Sequence, residues 1–186
     1  MAHRIEACAR ILAPKELSEL VRYAPTTGEF FWLPRPRDLF ATDRSFQTWN
    51  SRYASRPIWL NADHKGYLRL GIFKKMYRAH RVAWAVSYGE WPAFAVDHIN
   101  GDKTDNRLCN LRVVSPSQSA MNRGAHSNNK SGLKGVSQDP RSGRWRAVIK
   151  SAGTAQHLGM FPTKEAAYDA YCAAVPHFHG EFGRVA

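Results

Sequence analysis

The sequence predicts an α+β chain of two modules: a strand–loop–strand–helix unit, then a three-stranded antiparallel sheet packed on one helix. Three observations carry this. Two short apolar runs, Phe94 to Val96 and NLRVV, flank a loop rich in Asn, Asp and Gly, and Pro116 then opens a helix. WRAVIK alternates behind the turn DPRSG, as a strand with one covered face does. Ala167, Tyr171 and Val175 recur every fourth residue behind Thr163, the pattern of a capped amphipathic helix. At 186 residues the chain has room for two small cores.

Taken in order, LSELVRYAP reads as a short helix with Leu17, Leu20 and Val21 on one face, TTGE as a turn and FFWL as a strand. From Arg35 to Pro57 periodicity is poor, and Phe40, Phe46, Trp49 and Tyr53 stand among Arg residues. Such interleaving suits stacking on bases, but buried aromatics in an irregular segment are the commoner outcome and are expected here. GYLRLGIFKKMYRAH reads as a hairpin turning at Phe73 to Lys75, and RVAWAVSYG as a helix ended by Gly89. A strand runs into Asp97 and His98. Asn100, Gly101, Asp102, Asp105 and Asn106 then supply the angles and local hydrogen bonds of a tight loop. Asn110 opens the second strand. GAHSNNKSG is the polar linker.

In the C-terminal third, strands are expected near Lys134 to Gln138, at WRAVIK and at HLGMF. Trp145, Ala147 and Ile149 share one face of the middle strand, and Arg146, Val148 and Lys150 the other, basic and free for a partner. Thr163 caps the final helix and Pro176 ends it. The expected modules are 1–123, with a β-β-α core at about 94–123, a linker at 124–131, and 132–186.

The formal charge is +12, and basic residues outnumber acidic ones in 1–60, 61–123 and 124–186 alike. Each part therefore presents a basic folded surface rather than a tail, which favours a polyanion and predicts steep salt dependence. An RNA-binding structural protein would share that balance. Cys8, Cys109 and Cys172 fit neither a disulfide framework nor a four-ligand zinc site, so a reducing cytoplasm is expected. No apolar run is long enough to span a membrane, and MAHRIEACARILA is too charged and short for a signal peptide.

The chemistry concentrates at Asp97 and His98. A carboxylate can hold a hard divalent metal that offsets charge on a phosphate and its leaving oxygen. A neighbouring imidazole takes a proton from water near neutral pH. With an Asn returning from the next strand and a helix closing over both, the arrangement suits phosphodiester hydrolysis, an order that an RNA-binding structural protein does not explain. A calcium loop is excluded because Ile99 and Gly101 occupy positions where oxygen donors belong. His3 and His80 take the structural reading.

The run YRAHRVAWAVSYGEWPAFAVDHINGDKTDNRLCNLRVV resembles the phage-type HNH endonucleases, which use a β-β-α metal fold. The resemblance covers roughly residues 61–123 and rests on AHRVAW, GEWP, DHINGD, DNR and NLR recurring in order. It implies that Asp97 is a metal ligand and His98 the general base. Asn110, twelve residues after His98, would hold the loop and the imidazole in place. The last ligand should lie nine residues beyond Asn110, where relatives usually carry Asn or His and this chain has Ser119. Asn122, on the same helix face, is the alternative. The implied cofactor is Mg²⁺ or Mn²⁺.

The segment 132–183 resembles the apetala-two/ethylene-response-factor DNA-binding domain through GV, GRW with Ala147 and Ile149, LG with Phe161, Thr163 with EAA and AY, and HGE. In that family the sheet lies in the DNA major groove. The resemblance implies DNA contacts from Lys134, Arg141, Arg146, Lys150 and His157, which can neutralise phosphates or meet guanine edges. The resulting expectation is a metal-dependent endonuclease acting on double-stranded DNA, a phage or prophage homing or nicking enzyme in the cytoplasm of a bacterial host. The alternative is a non-cleaving DNA-binding regulator on the same scaffold. No heptad pattern enforces a dimer, so a monomer or weak dimer is expected.

Overall fold

The computed structural model describes residues 10–125, 128–151 and 153–185. The chain divides into two compact units, Met1–Val113 and Val114–Ala186. No helix among the described residues is long and apolar enough to cross a membrane.

The first unit opens with α1 (Pro14–Leu20), whose first turn is closed by Glu16 accepting the Ala13 N–H at 2.7 Å. The helix expected over LSELVRYAP is shorter than its apolar spacing implied. Residues VRYA form β1 (Val21–Ala24), antiparallel to β2 (Glu29–Trp32). Val21 and Tyr23 are buried while Arg22 is exposed, the alternation of a strand.

Residues 35–57 depart further from expectation. A 3₁₀ turn (Arg37–Leu39) leads into α2 (Asp43–Tyr53), whose start is capped by Thr42 accepting the Ser45 N–H at 3.2 Å. No residue of α2 is buried. Three of the four aromatics therefore stand on a helix, with Phe40 before it packed on Phe46 and Trp49, and the cluster is half-buried rather than the core of an irregular segment. Phe46, Trp49 and Tyr53 stand three and four residues apart, a stripe whose signal Arg and polar neighbours diluted.

A three-stranded antiparallel sheet follows: β3 (Asn61–Ala62), β4 (Leu68–Ile72) and β5 (Lys75–Arg78), in that order. The β4–β5 turn falls where expected, with Phe73 and Lys74 at φ 48° and 64°. α3 (Ala79–Tyr88) ends at Gly89 as expected. β6 (Ala95–His98) and β7 (Leu111–Val114) form a separate two-stranded sheet, and a 3₁₀ turn (Leu108–Asn110) enters β7. Leu17, Phe30, Leu70, Ile72, Val82, Val96 and Leu111 belong to one core that ties α1, both hairpins, α3 and the β6–β7 pair together.

The second unit holds α4 (Pro116–Asn122), β8 (Val136–Gln138), β9 (Trp145–Ser151), β10 (Thr154–Phe161) and α5 (Lys164–His179), followed by a 3₁₀ turn (Gly180–Phe182). The sheet is antiparallel with β9 central, and Ala147 and Ile149 of β9 are buried with Ala167, Tyr171 and Val175 of α5. The expected sheet-on-helix packing is thus present. β8 starts later than expected because Gly135 turns the chain at φ 75°, where a Cβ would stand 2.2 Å from the Tyr171 ring. β10 is longer than HLGMF, with its register broken between His157 and Gly159. Pro176 does not end α5. The last turn is anchored to β9 by His179 Nε2 against Lys150 O at 2.8 Å and by Ser151 Oγ donating to Phe178 O at 3.0 Å. Cys109 and Cys172 are free thiols, and Cys8 and the linker residues 126 and 127 lie outside the described residues.

Candidate active site

β6 alternates towards the core: Val96 is buried, Asp97 half-buried and His98 buried. The loop from Ile99 to Arg107 then folds back on itself. Ile99 N–H donates to Asn110 O at 2.8 Å. The Asn110 amide works at both ends: its Oδ1 accepts the Asn100 N–H at 3.0 Å, and its Nδ2 donates to Asn100 Oδ1 at 3.0 Å and Asp105 O at 2.9 Å. Asp102 accepts from the Thr104 N–H and hydroxyl at 2.9 and 2.7 Å. Arg107 grips Asp105 with two nitrogens at 2.8 and 2.7 Å and holds that carboxyl down at about 2.

The N-terminal hairpin supports this loop from below. Tyr23 donates its hydroxyl to Asn106 O at 2.7 Å, and Leu108 N–H reaches Pro25 O at 2.9 Å. Burial pushes the Tyr23 phenol up, which keeps it a donor. Gly28, at φ 78°, lies so close that a Cβ would stand 2.8 Å from Arg107 N. These supports went unread in the sequence because they join residues about eighty positions apart.

His98 Nε2 stands 3.3 Å from Asn106 Oδ1. Asn110 therefore holds the loop, and it is Asn106, read only as a turn residue, that meets the imidazole. Burial lowers the His98 pKa, opposed by the Asn106 contact and by Asp97, Asp102 and Asp105, which favours the neutral ring, the form that can accept a proton. His80 meets His98 edge to face, ring centroids 5.0 Å apart, and Tyr67 lies 5.2 Å from His80 and 6.0 Å from His98. His80 is 2% exposed and its Nδ1 has no hydrogen-bond partner among the described residues. Burial first, then His98, Arg78 and Arg81, push its pKa down to about 3. The structural reading of His80 thus gains a location, in ring contact with the candidate base.

Asp97 Oδ2 lies 3.7 Å from the Arg112 guanidinium on β7. Among the described residues no three His, Cys, Asp or Glu side chains converge as a metal-holding group. This donor set does not suit a closed zinc site. A carboxylate oxygen such as that of Asp97 is a ligand of the kind a hard, hydrated divalent cation takes. The two helix candidates lie on α4 in the second unit, Ser119 half-buried and Asn122 buried. A reciprocal cap starts that helix: Ser115 N–H donates to Gln118 Oε1 at 2.8 Å, and Ser115 Oγ accepts the Gln118 N–H at 3.3 Å.

The expected DNA-contacting residues are placed unevenly. Arg146 and Lys150 are exposed on the face of β9 opposite α5, His157 is exposed on β10, and Arg141 is exposed in the β8–β9 turn. Lys134 is not free. It is half-buried, its ammonium donates to Met121 O near the end of α4, and burial lowers its pKa. The basic face is likewise not an open plane, because Ser117, Ala120 and Met121 of α4 help line a cleft of about 950 Å³ with Arg146, Val148, Lys150 and His157.

The family model of HNH endonucleases matches residues 77–121, the stretch holding Asp97, His98, Asn106 and Asn110. That stretch is therefore similar to the HNH endonucleases. Protein 3.8 of Escherichia phage T7 is 29% identical over 113 residues, 60% of this chain and 93% of that protein. An uncharacterized HNH endonuclease of Acanthamoeba polyphaga mimivirus is 31% identical over 87 residues, 47% of this chain and 44% of its own length. The HNH homing endonuclease I-HmuI, solved in a study of DNA binding and cleavage, overlays with a TM-score of 0.40 at 19% identity, covering 90% of each chain.

Proposed function

We propose that this chain is a metal-dependent HNH endonuclease that hydrolyses DNA phosphodiester bonds, a homing or nicking enzyme of a phage or prophage. The observation that carries the reading is a buried imidazole next to a carboxylate at the end of β6, with the loop that follows pinned by Asn110, within the matched HNH segment. His98 removes the proton from the attacking water, and its lowered pKa keeps it competent at neutral pH. Asn106 and His80 restrain the ring. Asp97 would hold the cation, with Ser119 or Asn122 as its partner. When bound, Mg²⁺ or Mn²⁺ offsets charge on the scissile phosphate and leaving oxygen. Arg141, Arg146, Lys150 and His157 hold the duplex, mainly through phosphates, while Lys134 fastens the end of α4.

A second reading, a DNA-binding regulator that does not cleave, draws on Ser119, whose neutral hydroxyl stands where relatives carry an amide or imidazole. Supercoiled plasmid incubated with Mg²⁺ or Mn²⁺, with and without chelator, separates the two. Metal-dependent open circles support the nuclease. Retarded but intact plasmid at every metal concentration supports the regulator.

A further inference from the structure

We propose that the cleft between α2 and the tip of the β4–β5 hairpin takes an unstacked nucleobase of single-stranded DNA, with the flanking phosphates on Arg44, Arg52 and Lys74. This deepens the DNA reading above by assigning the first unit a ligand site of its own.

Helices of small domains normally bury a stripe fully, yet α2 has no fully buried residue: Phe46 and Trp49 are half-buried and Tyr53 is exposed. Its rings are organised all the same. Trp49 packs edge-on to Trp32 at 5.7 Å and lies 5.4 Å from Tyr53. The Arg35 guanidinium sits 4.0 Å from the Trp49 ring centroid, 4.9 Å from Trp32 and 5.1 Å from Phe73. Asn50 fixes the Arg35 backbone, accepting its N–H and donating to its carbonyl, both at 2.9 Å. Two openings of about 660 and 370 Å³ share Arg35, Trp49, Tyr53 and Phe73, and are rimmed by Arg44, Arg52 and Lys74.

Volumes of this order are typical of small-ligand sites. Preset aromatic planes beside a guanidinium form a stacking platform that accepts any base, because every base has a π-face. The rim favours an anion: Arg35, Arg44, Arg52 and Lys74 line the two openings and no acid among the described residues does, Asp43 being bound by Arg37. Flat rings with a cationic rim match a base with its phosphates better than an acidic peptide, which offers charge without π-faces.

The test is binding of labelled oligothymidylate to the full chain in chelator, so its outcome does not depend on whether the wild type nicks plasmid. Duplex binding, which the proposed function assigns to Arg141, Arg146, Lys150 and His157, is measured alongside and should not change in the cleft variants. Trp49→Leu should weaken single-strand binding about 5- to 150-fold. The double variant Arg44→Ala with Arg52→Ala changes only exposed side chains. It should lower the slope of log affinity against log salt by about 1.4. Trp59→Ala, 87% exposed and away from the cleft, should change nothing. Should Trp49→Leu misfold, the double variant and Tyr53→Ala decide. The proposal is overturned by wild-type single-strand affinity and slope in these variants, by an equal loss of duplex binding in them, or by polyglutamate competing as well as oligothymidylate.

Discussion

His98 and His80 meet edge to face, and burial lowers the pKa of both. His80, buried among His98, Tyr67, Arg78, Arg81 and Asp63, titrates at about 3 in the folded chain against 6.5 for an ordinary histidine. Below about pH 6.5 the unfolded chain takes up a proton that the folded chain refuses, so stability falls as pH drops through that window and is unaffected above it. One such proton corresponds to about 1.4 kcal/mol per pH unit. Urea unfolding between pH 7 and 5 should show this acid loss, and His80→Leu should flatten it. Identical pH dependence in the two proteins would contradict the assignment. Asn110 is tested by stability rather than pH. Asn110→Ala leaves the Asn100 N–H and the Asp105 carbonyl without their partner, which should cost about 1–3 kcal/mol. An unshifted urea midpoint would mean that water replaces the amide.

At the scale of elements, α4 carries the open question of the metal site. If Ser119 is the ligand, Ser119→Ala should raise the metal concentration needed for binding and cleavage, Asn122→Ala should be mild, and Ser119→Asn should tighten metal binding. If Asn122 is the ligand, the order of the alanine variants reverses. A titration that moves for neither removes α4 as a ligand source. The elements also show what a sequence can and cannot disclose. The β6 strand, its Asx loop, β7, α4 and the sheet-on-helix unit were legible because each is specified locally, by alternation, turn residues or a cap. The strand β1 was hidden because Leu17, Leu20 and Val21 satisfy a helical spacing, and only pairing with β2 decides otherwise. The helix α2 was hidden for the opposite reason: its stripe of Phe46, Trp49 and Tyr53 is only partly buried and is diluted by Arg and polar neighbours. Pro176 looked terminal because proline lacks an N–H, but contacts from His179 and Ser151 hold the last turn. Asn106 was legible as a turn residue and illegible as the partner of His98, since that contact exists only once Tyr23 supports the loop.

At the scale of the whole molecule, a +12 chain whose residues 77–121 match the HNH endonuclease family model should, on the proposed reading, bind DNA with a steep salt dependence. Arg146→Ala and Lys150→Ala should each lower the salt slope of duplex affinity by about one, and unchanged slopes in both would mean that this sheet face does not meet the backbone. One base and one cation act on one strand at a time, so open-circle plasmid should accumulate before linear. The most direct measurement compares wild type with His98→Ala on supercoiled plasmid in Mg²⁺, alongside duplex affinity in chelator. General-base removal should slow nicking by about a hundredfold to ten-thousandfold while affinity stays within about twofold, since a neutral imidazole adds little to phosphate binding. Nicking by His98→Ala at the wild-type rate, abolished by chelator in both proteins, would contradict the assignment of His98 as the base.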